Sequence, residues 1–173
     1  MFTAGGIVTG QKFIGRQSEL DKLNLFFSGI NNYSLIGLSR VGKSSLVSEL
    51  LVRNSELLLI KNCQVVNYTI TSSTKERDIY RLFFTKILEV TKRLGTSDLE
   101  NDAEDILKKL EIDFIDHEKV IDLSDKLYES TRIRFFLIFD EFDNAPDVFQ
   151  KYLMTLREII TRSKNIKLLT ISR

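Results

Sequence analysis

Residues 37–45 read GLSRVGKSS, preceded by an apolar run (Tyr33, Leu35, Ile36) and followed by a helix-forming one (Leu46, Val47, Glu49, Leu50, Leu51). Gly37, Gly42, Lys43 and Ser44 fit the spacing G-x-x-x-x-G-K-[ST], which marks a phosphate-binding loop when it joins a strand to a helix. Gly37 would allow a tight exit from the strand. Gly42 would let the backbone close around a phosphate without a Cβ in the way. Ser39 and Arg40 fill the loop between the glycines, and the amides of Val41, Gly42, Lys43, Ser44 and Ser45 would face an anion from a helix N-terminus. Lys43 would reach the β- and γ-phosphate oxygens, and the Ser44 hydroxyl would ligate Mg²⁺. The bland alternative is a serine-rich turn with a chance match, which the flanking strand and helix make the weaker reading.

Working outward, helix periodicity and capping residues predict helices over 18–27, 42–53, 98–110 and 116–130. A capping box at Ser73-Thr74-Lys75-Glu76 opens a further helix, with the apolar stripe Ile79, Phe83, Ile87, Val90, Leu94. Another has Pro146 in its first turn and continues through Phe149, Tyr152, Leu153, Leu156 and Ile160. Strands are predicted over 33–38, 64–70, 134–139 and 166–171. The third of these, RFFLIF, is uninterruptedly apolar, as a strand covered on both faces should be. Strands alternating with helices give an α/β fold with a mostly parallel sheet.

A site that hydrolyses a triphosphate needs a carboxylate for the metal and a base for the attacking water. Asp140 and Glu141 stand at the end of the RFFLIF strand and supply both: Asp140 for Mg²⁺, Glu141 to orient or deprotonate water. An acidic turn capping the next helix is the plainer reading, but Asp143 and Asn144 can fill that role. The last strand ends LLTISR, delivering Thr170, Ser172 and Arg173 to the same edge, where Ser172 or Arg173 could sense a γ-phosphate.

Composition narrows the field further. The chain has 173 residues, 43% hydrophobic and 28% charged, enough for one domain with a sizeable core. Lys+Arg 25 against Asp+Glu 24 gives no overall field to recruit nucleic acid or an anionic membrane. One cysteine, Cys63, excludes an internal disulfide and a multi-cysteine zinc site. It reads as a small buried residue. The single histidine, His117, reads as a solvated helix-start residue. The acidic stretch DLENDAED, 98–105, reads as a solvated helix start. No apolar run is long enough to span a bilayer and the N-terminus has no secretory pattern, so the cytoplasm is the expected location. An N-K-x-D guanine motif and an L-S-G-G-Q-like helix start are both missing, which disfavours GTPases and transporter ATPases.

Four pieces in this order, FIGRQSEL (13–20), GLSRVGKSS (37–45), FFLIFDE (135–141) and LLTISR (168–173), resemble the P-loop ATPases of the AAA+/STAND group. The resemblance implies a three-layer α/β/α core over residues 1–173, with strand order 5-1-4-3-2 and strand 5 and the helical lid missing. Residues 1–32 would form an adenine-side segment and first helix, with Phe13, Ile14, Gly15 and Arg16 against adenine. It also implies ATP and Mg²⁺ as ligands and Ser172 or Arg173 in the sensor position. The function implied is a nucleotide-dependent switch of a signalling or defence ATPase. The alternatives are the motor of a DNA-associated AAA+ ATPase, of replication-initiator or transposition-helper type, and a non-hydrolysing binding module. Because a family member would continue past Arg173, the chain is expected to be part of a longer protein. Self-association or a C-terminal effector region would lie beyond it, and turnover by this piece alone would be slow or absent.

Overall fold

The computed structural model describes residues 6–28, 31–60, 62–111, 117–144 and 149–173. In chain order the elements are a 3-10 turn (Gly10–Lys12), α1 (Gln17–Ser28), β1 (Tyr33–Ile36), α2 (Lys43–Arg53) and α3 (Ser55–Ile60). Then follow β2 (Cys63–Thr69), α4 (Glu76–Leu94), α5 (Ser97–Glu111), α6 (His117–Thr131) and β3 (Arg134–Asp140). A 3-10 turn (Phe142–Asn144), α7 (Phe149–Arg162) and β4 (Ile166–Ser172) complete the chain.

The four strands form one sheet in the order β1-β4-β3-β2, and every pairing is parallel. This is the expected α/β architecture and the expected strand order without its fifth strand. β3 shows why its sequence is apolar throughout. Phe135, Leu137 and Phe139 join a core formed with α4, α5, α6 and α7, while Phe136 and Ile138 join a second core with α1, α2 and Leu58 of α3. Period-two alternation therefore feeds two hydrophobic layers, and both faces must be apolar. The ring of Phe136 meets those of Phe26 and Phe27 at 5.0 Å each, edge to face. On the other face Phe83 meets Phe135 at 5.2 Å.

At the base of the sheet a buried amide locks three segments. Asn165 accepts from Ser124 Oγ at 2.6 Å and Ser163 Oγ at 2.7 Å, and donates to the carbonyls of Ser124 and Ile133 at 2.9 and 3.3 Å. Its own carbonyl accepts from Phe135 N, fixing the start of β3 against β4. Every polar atom of that amide is thereby satisfied, as burial requires.

Several expectations are corrected. β1 ends at Ile36 rather than residue 38, and Ile36 is 70% exposed. The short helix α3 has no counterpart in the predicted elements; its run SELLLI is too short for helical periodicity to declare itself. The capping box lies two residues further on: Asp78 reaches back, accepting from Lys75 N at 2.9 Å. Thr74 instead closes a local turn, accepting from Thr71 N at 2.9 Å. Leu94, last of the α4 stripe, is 45% exposed, because the chain turns away at Gly95 before that face meets the core. Cys63 is buried, as read. The acidic start of α5 is solvated and paired, with Lys92 at 3.2 Å from Glu104 and Lys109 at 3.0 Å from Asp105. Gly29 and Pro146, read as a helix stop and a helix start, lie outside the described residues, as does the side chain of His117.

Candidate functional site

At the carboxyl ends of β1, β4 and β3 the molecule has a cleft of about 750 Å³. Parallel α/β sheets place ligands at this end, where loops leave the strands. The loop after β1 and the start of α2 supply Ser39, Arg40, Gly42, Lys43, Ser44 and Ser45; β3 and its following turn supply Asp140, Glu141 and Asp143; β4 and the residue after it supply Ile171, Ser172 and Arg173. Gly6 and Ile7 line it from the N-terminal side. Side chains separated by about a hundred residues in sequence thus face one space.

The loop geometry follows from two left-handed residues. Gly42, the N-cap of α2, has φ +80°, and Arg40 has φ +61°. Gly42 meets the helix without a side-chain cap, so among the described residues the first-turn amides of α2 have no intrahelical or capping partner. Such a helix start carries partial positive charge and favours an anion. Gly37 is a correction: it has no positive φ, and a Cβ there would meet Lys43 Cδ and Val41 Cγ2 at an ordinary 3.8 Å. The special backbone geometry sits at Arg40 and Gly42 instead. Gly37 N donates to Ser172 O at 3.3 Å, tying the loop's first residue to β4.

The Lys43 ammonium curls over its own loop, donating to the carbonyls of Gly37 and Leu38 at 2.7 and 2.8 Å. A phosphate entering the loop offers this cation charged oxygens in place of neutral carbonyls, the stronger class of acceptor. Asp140 ends β3 in register with Thr69 of β2, and its Oδ1 accepts from Glu141 N at 2.8 Å. Glu141 has φ +54°, a left-handed turn for a non-glycine residue immediately after the strand. Its Oε2 accepts from Asn144 Nδ2 at 3.4 Å and lies 3.7 Å from an Arg173 nitrogen.

Arg173 is engaged by a residue the sequence reading assigned elsewhere. Asp143 accepts from Arg173 N at 3.2 Å and pairs with Arg173 Nε at 3.2 Å, while lying in the 3-10 turn. Asp143 thus clasps the end of β4, while the helix start that it and Asn144 could cap, at 145–148, lies outside the described residues. Thr170 turns toward β1, where its hydroxyl lies 2.8 Å from Ser34 Oγ, whereas Ser172 and Arg173 both line the cleft.

Of the segment assigned to adenine, Phe13 packs against the α1/α2 core, Ile14 is 81% exposed, and Gly15 and Arg16 have φ +80° and +59°. Arg16 donates to Val41 O at 2.8 Å and pairs with Glu19 at 3.2 Å. None of these four lines the cleft itself; Gly6 and Ile7 do. Nothing in MFTAGGIV distinguished those two, because the segment has no periodicity. Among the described residues no three His, Cys, Asp or Glu gather as a metal site. The oxygen donors Ser44 and Asp140 suit Mg²⁺, which takes one or two protein oxygens and fills its octahedron with water and phosphate.

Comparison with known proteins agrees with this arrangement. The crystal structure of Cdc6p from Pyrobaculum aerophilum superimposes with a TM-score of 0.50 at 15% identity, covering 96% of this chain and 41% of that one. At that identity the likeness is one of fold, and the chain spans less than half the length of that relative. No curated protein matches by sequence. Among the described residues no helix is long and apolar enough to cross a membrane. A family model described as AAA domain matches residues 29–172, from just before β1 to the last residue of β4. With the phosphate loop, the Asp-Glu strand end and the parallel sheet inside that match, the chain belongs to the AAA domain family.

Proposed function

We propose that this domain binds ATP with Mg²⁺ and hydrolyses it, acting as the nucleotide-dependent switch of a signalling ATPase of the STAND type. The observation that carries this is the meeting of Lys43 and Ser44 from the β1–α2 loop with Asp140 and Glu141 from β3 in one cleft. A triphosphate lying on the α2 N-terminus would neutralise the first-turn amides and draw the Lys43 ammonium off the Gly37 and Leu38 carbonyls. Ser44 and Asp140 would hold Mg²⁺, which when bound offsets charge on the β- and γ-phosphate oxygens. Glu141 would accept a proton from water as its oxygen attacks the γ-phosphorus. The bond from that phosphorus to the bridging oxygen breaks, leaving ADP and phosphate.

The switch reading rests on Arg173. It is held at Asp143 and close to Glu141, on the last residue after β4, at the edge where a γ-phosphate would stand. A γ-phosphate competes for the same guanidinium, so ATP and ADP favour different partners for Arg173. Self-association or an effector region elsewhere in the protein would read that difference, in the cytoplasm.

The test is Glu141→Gln in the intact protein: ATP binding is retained and turnover falls by roughly 10²–10⁴-fold, the usual worth of a positioned base. Unchanged turnover would leave a non-hydrolysing binding module as the better reading. Duplex DNA binding that weakens steeply with salt would favour a DNA-associated AAA+ motor instead. The near-balance of Lys+Arg 25 and Asp+Glu 24 speaks against that outcome.

A further inference from the structure

A strap of chain before α1 runs along α2 and is held at three points. Val8 N donates to Ser45 Oγ at 3.1 Å, Gly10 N donates to Glu49 Oε2, and Arg16 donates to Val41 O at 2.8 Å. The middle contact is the unusual one. Glu49 is only 3% exposed, on a helix whose other buried residues are Leu46, Val47 and Leu50. A carboxylate is rarely placed there without a partner for each oxygen. Its two oxygens are divided between two tasks: Oε2 takes the strap, and Oε1 takes Arg53 Nε at 2.7 Å. Arg53 then donates to Gln17 Oε1 at 2.8 Å, at the start of α1. One buried carboxylate therefore joins the strap, α1 and α2.

Among the described residues the strap has little else to hold it. Ile7 is 67% exposed and Ile14 81%, leaving Phe13 as its packed apolar anchor, and Gly10 needs a left-handed φ of +63°. Polar clamping must therefore set where it lies. Its leading residues, Gly6 and Ile7, form a wall of the cleft beside Ser45, while Glu49 does not line the cleft. Whatever Glu49 does to a ligand, it does through the strap.

We propose that Glu49 is a positioning residue for the nucleoside end of the ligand: it seats the strap so that Gly6 and Ile7 wall the part of the cleft beyond the phosphate loop. This rests on the nucleotide-binding reading above. The phosphates are gripped by α2 and its loop and need no strap; the base and ribose meet the strap. Glu49 therefore controls the extra affinity of ATP over a bare triphosphate, without controlling the grip on phosphate.

The experiment is calorimetric titration, in the presence of Mg²⁺, of the wild-type chain and of Glu49→Ala and Glu49→Gln, with ATP and with inorganic tripolyphosphate as separate probes. Thermal melting shows which variants are folded. The wild type binds ATP more tightly than tripolyphosphate. Glu49→Ala weakens ATP about 10-fold, the scale of a lost charge-assisted hydrogen bond, and leaves tripolyphosphate unchanged. Glu49→Gln keeps an oxygen for Gly10 N and loses roughly 2–3-fold, which carries the test if the alanine variant does not fold. Equal loss for both probes, or no loss for either, overturns the proposal. Wild-type protein that takes up tripolyphosphate with no gain for ATP overturns it too, while leaving the phosphate loop intact as a reading. A folded wild type that binds neither probe overturns the nucleotide reading itself and this proposal with it.

Discussion

Gly37 N donates to Ser172 O at 3.3 Å, so the first residue of the phosphate loop is hydrogen-bonded to the last residue of β4. The register partner of Ser172 is Ile36, which leads directly into the loop. Events at the phosphate loop and at the Ser172–Arg173 strand end thus share a backbone connection. The loop cannot shift at Gly37 without loading β4.

Arg173 sits 3.2 Å from Asp143 and 3.7 Å from Glu141 and faces the same cleft as Lys43. Arg173→Ala should reduce the preference for ATP over ADP by roughly 10-fold, the scale of one charge-assisted contact. Its ADP affinity should stay within about twofold. Paired titrations with ATP and ADP would check it; an unaltered ratio assigns the sensor role to Ser172 or to neither.

Phe136 is fully buried and its ring touches Phe26 and Phe27 at 5.0 Å each. Phe136→Ala should cost about 3–5 kcal/mol, because the two rings of Phe26 and Phe27 left around the cavity cannot close it by small shifts. Urea unfolding followed by far-UV circular dichroism measures it as a fall in midpoint.

Asn165 makes four side-chain hydrogen bonds within the buried contact of α6, β3 and β4. Asn165→Ala should destabilise by about 2–4 kcal/mol, since it takes a buried donor from the Ser124 and Ile133 carbonyls and the shared acceptor from the Ser124 and Ser163 hydroxyls. Asn165→Asp should be no better: a carboxylate cannot donate to the Ser124 and Ile133 carbonyls. Denaturation midpoints of the two variants, compared side by side, decide this.

Lys167 is only 9% exposed on β4, and burial, aided by the charge of Arg134, pushes its ammonium below the usual lysine range. Between the folded value and the ordinary value near 10.5 the unfolded chain binds more protons, so stability rises with pH across that window. Lys167→Met should therefore raise the melting temperature at pH 7 by roughly 2–4 °C, and the gain should shrink as pH approaches that window's upper end. A lower melting temperature at pH 7 would show that Lys167 has a stabilising partner outweighing its burial.

Legibility varied with how local the determining physics is. The RFFLIF run and the G-x-x-x-x-G-K-S loop were readable because each is specified by its own residues: two covered faces in one case, a helix start without side-chain caps in the other. Parallel order followed from alternating elements and from the resemblance to a family. The Asp143–Arg173 clasp could not be read, because the two residues stand thirty apart in sequence and only the fold brings them together. Glu49 stood only as part of a helix-forming run; its burial depends on a strap that has no periodic pattern. α3 failed for lack of length, and the box read at Ser73 lay two residues early because Asp78 stands at the same three-residue spacing from Lys75.

The most direct measurement of the central claim is isothermal titration of the folded wild-type chain and Lys43→Ala with ATP in the presence of Mg²⁺. Saturable uptake near one ATP per chain is expected, with at least a roughly 100-fold loss in the variant, as when a charged contact to phosphate is removed. A folded wild-type chain that gives no heat of binding, or a Lys43→Ala protein that binds as tightly as wild type, would contradict it.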